Sequence, residues 1–238
     1  EHYPEHQKAS HSFYFRKYTP KFARKAKRIV TVSEFSKNDI AKRYNIAHEK
    51  IGVSNNAAHE AYKPLSWEEK NVVKEKYTEG CEYFIFAGAL HPRKNVVNLL
   101  KAFVRFKKFT RSNMKLIIVG RMAWNYKEVV EMKNEMPFKE DVVWLGYLDV
   151  TELSVVMGGA YALVYASLFE GFGIPIIEAY KCAVPAIVSN TSSMPEVAAD
   201  AALIVEDPTN YRDIAEQMTR LCKDETLRQK LVENTQAQ

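Results

Sequence analysis

Cysteine is scarce in this chain of 238 residues, and the three present, Cys81, Cys182 and Cys222, are odd in number and lack metal-ligand spacing. That excludes a disulfide framework and leaves them as reduced, mostly buried thiols, as in a cytoplasmic protein. No apolar run approaches the roughly 20 residues needed to span a bilayer, and no secretory leader is visible at Glu1. The chain also lacks an initiator methionine, so a fragment of a longer protein is expected. Acidic metal motifs of the Asp-x-Asp kind are missing, and His2, His6, His11, His48, His59 and His91 have no partners at metal-site spacing. No metal and no cofactor is therefore expected.

What is present supports a folded α/β protein. Hydrophobic residues make up 47% of the chain, enough for a sizeable core. The net charge of +5 is modest, but Arg16, Lys17, Lys21, Arg24, Lys25, Lys27 and Arg28 crowd one stretch. The stretch reads as a solvated helix face, with an anionic membrane surface as the alternative. A nucleic-acid partner is not expected, because no recognised binding motif accompanies the charge.

Apolar strands are expected at Arg28 to Val32, Ile51 to Ser54, Tyr83 to Gly88, Lys115 to Gly120, Val142 to Leu145, Ala160 to Tyr165, Pro185 to Val188 and Ala202 to Val205. Helical patterns cover Glu34 to Tyr44, Val96 to Phe109, Tyr126 to Glu135, Thr151 to Met157, Pro175 to Cys182 and Tyr211 to Cys222. This alternation implies a doubly wound parallel sheet covered on both faces, with ligands beyond the C-terminal strand ends. A polar, proline-containing break at 55–67 reads as a linker.

One segment is more informative than the rest. Ser167-Leu168-Phe169-Glu170-Gly171-Phe172-Gly173-Ile174-Pro175-Ile176-Ile177-Glu178 follows an apolar strand and runs into a helix with Pro175 in its first turn. Gly171 and Gly173 then lie in a strand-to-helix turn whose backbone N–H groups can meet an anion at the positive end of the helix dipole. Glu170 and Glu178 would repel a phosphate and suit hydroxyl groups instead, so the ligand should carry both. Each also has a plainer reading, Glu178 as a first-turn helix residue and Glu170 as a turn residue. Upstream, Arg93 and Lys94 precede a helix that Asn95 is placed to cap. Two cations at a helix N-terminus oppose the dipole, a conflict that a bound diphosphate would resolve. Ser193-Met194-Pro195-Glu196 fits a capping box with proline at the first helical position, and Ser33 reads as another N-cap.

The Glu170-x7-Glu178 pattern with its Glu-Gly-Phe-Gly-x-Pro core resembles the signature of retaining GT-B glycosyltransferases of the family 4 type. Further stretches fit that family in order: Ile29 to Ser36, Phe86-Ala87-Gly88 with Arg93-Lys94-Asn95, Leu116 to Gly120, Val143 to Tyr147, and Ser193 to Val197. The resemblance implies a GT-B fold, represented by its Rossmann-like donor-binding domain at 68–238, a linker at 56–67 and, at 1–55, the tail of the acceptor-side domain. It implies transfer of a hexosyl group from a nucleotide diphosphate sugar, itself a substrate, to a saccharide or lipid-linked acceptor. Residue by residue, it assigns Arg93 and Lys94 to the diphosphate, Glu170 to the transferred sugar and Glu178 to the ribose hydroxyls. Gly88, Gly171, Phe172, Gly173 and Ile174 would offer donor contacts, and Gly146, Tyr147 and Leu148 would pass the base. A non-catalytic module that holds nucleotide sugar, or a domain whose pocket is empty, remain the alternatives. Two departures from the family pattern, Ala183 in place of glycine and Asn55-Asn56-Ala57-Ala58 in place of Asn-Gly, put local turn geometry in question.

Overall fold

The structure is a computed structural model that describes residues 2–3, 9–122 and 126–237. Its first elements are a long helix, α1 (Ala9–Lys25), then β1 (Ile29–Thr31), α2 (Glu34–Tyr44) and β2 (Ile51–Val53). β1 and β2 pair in parallel as a small separate sheet, and Ile51 of β2 is buried together with Ala41 and Ile46. On α1, Arg16, Lys17, Lys21, Arg24 and Lys25 all face solvent, the disposition expected of the basic run. Phe13, Tyr14, Phe15 and Phe22 are exposed on the same helix.

After the irregular stretch 54–66, Ser66 opens α3 (Trp67–Thr78) through a capping box with Glu69. The remaining elements alternate: β3 (Tyr83–Ala87), α4 (Val96–Thr110), β4 (Lys115–Val119), α5 (Lys127–Glu135), β5 (Val142–Gly146), α6 (Val150–Gly158) and β6 (Ala162–Tyr165). Then follow α7 (Ile174–Lys181), β7 (Ala186–Ser189), α8 (Met194–Ala198), β8 (Ala202–Val205), α9 (Tyr211–Lys223) and α10 (Glu225–Thr235). The strands form one parallel sheet in the order β5-β4-β3-β6-β7-β8. Every residue of β3, Tyr-Phe-Ile-Phe-Ala, is buried, because helices cover both faces of a parallel sheet and leave its strands no wet side. The core lies between the sheet and these helices, with Phe84 meeting Phe106 of α4 edge to face at 5.3 Å.

All eight expected strands form, and the expected α/β class holds. The helices α3 and α10 were not legible from periodicity. α3 buries only Val73 and Thr78 and leaves Trp67 and Val72 exposed, so its apolar stripe is too thin to read.

The two turn departures resolve differently. No residue from 55 to 58 takes a positive φ, so nothing there requires glycine. Ala183, just past the end of α7, does sit in the left-handed region at φ 56°. That conformation costs an L-residue about 1–2 kcal/mol, while glycine gives back about 0.5–1 kcal/mol in chain entropy. Ala183→Gly is therefore expected to raise unfolding stability by about 0.5–1 kcal/mol, read as a higher denaturant midpoint at unchanged m-value.

Candidate functional site

In the strand order, β3 and β6 lie side by side and the chain winds outward from them in opposite directions. Such a switch point opens a crevice beyond the C-terminal strand ends, bounded by the loops that leave those two strands. The loop after β3 carries Gly88, Arg93 and Lys94; the loop after β6 carries Glu170 to Gly173. Leu168 N–H donates to the Arg93 carbonyl at 2.9 Å and stitches the two loops together.

Arg93 and Lys94 occupy a single 3-10 turn, Pro92–Lys94, that His91 caps from its side chain. Asn95 follows in the left-handed region, φ 62°, and sets the axis of α4 apart from the turn. Its side chain does not cap α4, contrary to expectation; the amide donates to the carbonyls of Ala166 at 2.9 Å and Pro208 at 2.6 Å. With positive φ the side chain swings away from the N–H groups it was expected to satisfy, and ties α4 to the loop after β6 instead.

The two cations converge on one carboxylate. Glu170 is buried and accepts from Arg93 Nη1 at 2.8 Å and Lys94 Nζ at 2.6 Å, with the Tyr165 hydroxyl 3.2 Å away. Lys94 Nζ also bonds the Tyr165 hydroxyl, and Arg93 donates to the Phe169 carbonyl. The anion that the dipole argument demanded is thus supplied by the protein itself. Burial pushes the Glu170 pKa up, but the Lys94 and Arg93 charges outweigh it and hold the carboxyl below its ordinary range. Burial also lowers the Lys94 pKa, and the Glu170 charge offsets only part of that. The Tyr165 hydroxyl is pushed well up, by burial first and the Glu170 charge second. Tyr165 is the cluster member that the sequence reading missed; its place as the last residue of β6 at the switch point was the available signal.

Beyond Glu170 the backbone is organised by serines. Ser193 Oγ donates to the carbonyls of Glu170 and Phe172, each at 3.0 Å, and Ser33 and Ser36 donate to the Gly171 carbonyl at 2.7 and 3.0 Å. Ser192 Oγ accepts from Glu170 N–H at 2.9 Å. With its carbonyls taken, the turn keeps the N–H groups of Gly171, Phe172, Gly173 and Ile174 free of hydrogen bonds among the described residues. These unpaired donors lead into the N-terminus of α7, where Gly173 takes φ 105° and a Cβ would approach Ile176 Cδ1 to 3.0 Å. Phe172 is a buried side chain. Ser193 does not form the expected capping box: its own φ and ψ are already helical, so its hydroxyl is turned to the turn carbonyls, and Pro195 falls at the second position of α8. Ser33 does cap α2, accepting from Ser36 N–H at 3.0 Å.

Glu178, expected in the first helical turn, lies one turn further along, because α7 starts at Ile174; it is half-buried and shares none of the Glu170 partners. Its carboxyl pKa is raised by burial and pulled partly back by the facing Tyr62 hydroxyl. The two carboxylates of the motif thus have separate surroundings. Gly146 ends β5 at φ 68°, with open space where a Cβ would stand. Tyr147 is 76% exposed, and Leu148 packs against the core. Gly88 lies under Lys94, whose Cε is 3.8 Å from the position of a built Cβ. Among the described residues no group of three or more His, Cys, Asp or Glu side chains could hold a metal ion, and His6 lies outside them.

The family model for glycosyl transferases group 1 matches residues 68–238. The chain is 33% identical over 205 residues to O-antigen chain mannosyltransferase B of Escherichia coli, covering 86% of this chain and 54% of that protein. It is 32% identical over 210 residues to the O-antigen chain mannosyltransferase RfbU of Salmonella typhimurium, covering 87% and 55%. It therefore spans about half the length of the curated relatives it matches. In structure it is similar to Anabaena HepE in complex with UDP, with a TM-score of 0.80, 18% identity, and 91% and 59% of the two chains covered. It is likewise similar to WaaG, a glycosyltransferase involved in lipopolysaccharide biosynthesis, at a TM-score of 0.77, 17% identity, and 87% and 57% coverage.

Removing one partner of a buried ion pair strands the other charge, at a cost of about 3–5 kcal/mol. Arg93 keeps 31% of its side chain in solvent, so Glu170→Gln is expected to fall at the lower end, about 3 kcal/mol at neutral pH. Because the Glu170 pKa is lowered on folding, its contribution is present above the ordinary carboxylate range and lost as pH falls through the folded value. The stability gap between the wild type and Glu170→Gln, measured by denaturant unfolding across pH, should accordingly narrow on acidification.

Proposed function

The chain belongs to the glycosyl transferases group 1 family, and from that premise we propose that it moves a hexosyl group from a nucleotide diphosphate sugar to a hydroxyl of a saccharide or lipid-linked acceptor. The observation that carries the reading is the row of unpaired N–H groups, Gly171 to Ile174, beside the two cations Arg93 and Lys94 at the sheet's switch point. Amide donors and cations around one crevice match a diphosphate, which is recognised by charge and by hydrogen-bond acceptance.

In this proposal the donor diphosphate takes over Lys94 and Arg93 from Glu170, whose carboxylate is then available to the sugar hydroxyls. Glu178 takes the ribose hydroxyls, Gly88 gives room to the phosphates, and Gly146, Tyr147 and Leu148 border the base. The bond between the anomeric carbon and the phosphate oxygen breaks, and the acceptor oxygen bonds to that carbon on the same face, with retention. The acceptor's proton passes to the departing phosphate. Arg93, Lys94 and the backbone donors stabilise the charge that develops on that phosphate, so neither metal nor cofactor is required. The residues described here act mainly as the donor side, completed in cis by an acceptor-side domain. The mannosyltransferase names of two relatives put a mannosyl group first among the hexoses. Work at the cytoplasmic face of a membrane fits the exposed Phe13 and Phe22 beside the basic residues of α1, which suit an anionic lipid surface.

Calorimetric titration with GDP, UDP and ADP, without divalent cation, tests the reading. One diphosphate should bind, and Glu178→Ala should weaken it by about tenfold, the scale of one hydrogen bond to a charged group. Failure of all three to bind sinks it. With the full acceptor-side domain present, Lys94→Ala should lower kcat by about 10²–10³, the loss expected for one preorganised donor; a module that holds nucleotide sugar without catalysis would transfer nothing in either form.

A further inference from the structure

The first turn of α2 leaves the N–H groups of Glu34, Phe35 and Ser36 without helical acceptors. Ser33 satisfies only the last of them. The other two are taken by a residue far along the chain: Glu196 of α8 accepts from Glu34 N–H through Oε1 at 2.8 Å and from Phe35 N–H through Oε2 at 2.9 Å. A carboxylate across a helix N-terminus is favoured both by the two hydrogen bonds and by the dipole. The same turn of α2 sends the Ser33 and Ser36 hydroxyls to the Gly171 carbonyl, and Phe35 meets Phe169 edge to face with centroids 5.7 Å apart. α2 is thereby attached on one side to the turn after β6 and on the other to α8.

We propose that Ser33, Ser36 and Glu196 are positioning residues that clamp α2 onto the 170–174 turn and so hold its N–H groups presented for a nucleotide diphosphate. This deepens the donor-site reading and rests on it. The physical reason lies in the peptide plane between Gly171 and Phe172. The Gly171 carbonyl and the Phe172 N–H point in opposite directions across that plane, so anchoring the carbonyl on two hydroxyls of α2 fixes the direction of the donor. Glycine at 171 would otherwise allow the plane to turn over at little cost. Ser193 fixes the carbonyls on either side from the α8 side of the turn, so only Gly171 depends on α2. Since α2 precedes the irregular 54–66 stretch and the turn follows it, the clamp makes donor affinity sensitive to how the two sides of that stretch sit against each other.

The test uses Ser36→Ala, Ser36→Thr and Glu196→Gln in this chain. In the wild type the Glu34 and Phe35 amides should be protected from hydrogen exchange, and Glu196→Gln, which keeps a single acceptor oxygen, should speed their exchange by about tenfold. Ser36→Ala should weaken nucleotide diphosphate binding by about tenfold in calorimetry, Ser36→Thr should restore it, and melting temperatures should stay close to the wild type. Exchange that changes while affinity does not would reduce the clamp to a structural tether and overturn the proposal, as would equal weakening by Ser36→Ala and Ser36→Thr. A wild type that binds no nucleotide, with its α2 amides protected, would overturn the donor-site reading and, with it, the positioning role. A variant set that binds as tightly as a binding-competent wild type would overturn the clamp alone.

Discussion

Glu170 is the counter-charge on which the site is assembled. Arg93 and Lys94 come from the loop after one central strand and Glu170 from the loop after its neighbour, so the ion cluster joins the two loops at the point where the sheet reverses its winding. Without that carboxylate, two cations at the head of a helix would face each other and a positive dipole end with little water to screen them. The Lys94 pKa, lowered by burial and only partly restored by Glu170, records the same tension. The same carboxylate fixes the positions of both cations at the switch point.

The second constraint is the orientation of backbone groups. A peptide group presents an N–H on one side only if its carbonyl is occupied on the other, and here hydroxyls from Ser33, Ser36 and Ser193 take the carbonyls of residues 170 to 172. Serine suits this task because a hydroxyl donates without bringing charge into the turn. The arrangement joins three distant parts of the chain, the α2 N-terminus, the turn after β6 and the start of α8, around a few peptide planes. Membership of the glycosyl transferases group 1 family and the GT-B-like sheet supply the frame for this; the serines and Glu196 are how this chain holds its own turn.

Much of this was legible in the residues. The alternation of apolar strands with helical patterns announced a parallel sheet covered on both faces, and β3 and β6 are buried throughout. Two glycines after a strand and a proline at the head of a helix announced the strand-to-helix turn. What sequence patterns misjudged were the caps. Asn95 and Ser193 stand where capping residues stand, but one has positive φ and the other is already helical, and both turn their side chains to carbonyls elsewhere. A capping pattern fixes which residue types are adjacent, and leaves open which backbone groups compete for their side chains.

The sequence by itself determined the α/β class, which follows from local periodicity, while Arg93, Lys94, Glu170 and Glu178 stood out in it through the resemblance of their motifs to a known family. Only the tertiary structure decided the pairing among them. That Glu170 neutralises both cations and that Tyr165 joins them depend on which strand ends lie side by side, while Glu178 faces Tyr62 from the irregular 54–66 stretch. The hydrogen bonds that Ser33 and Ser36 donate and Glu196 accepts join α2 to elements more than 130 residues away. Contacts at such separations leave no periodic trace in a sequence, because they are set by the order of strands in a sheet and by the distance dependence of charge and hydrogen bonding.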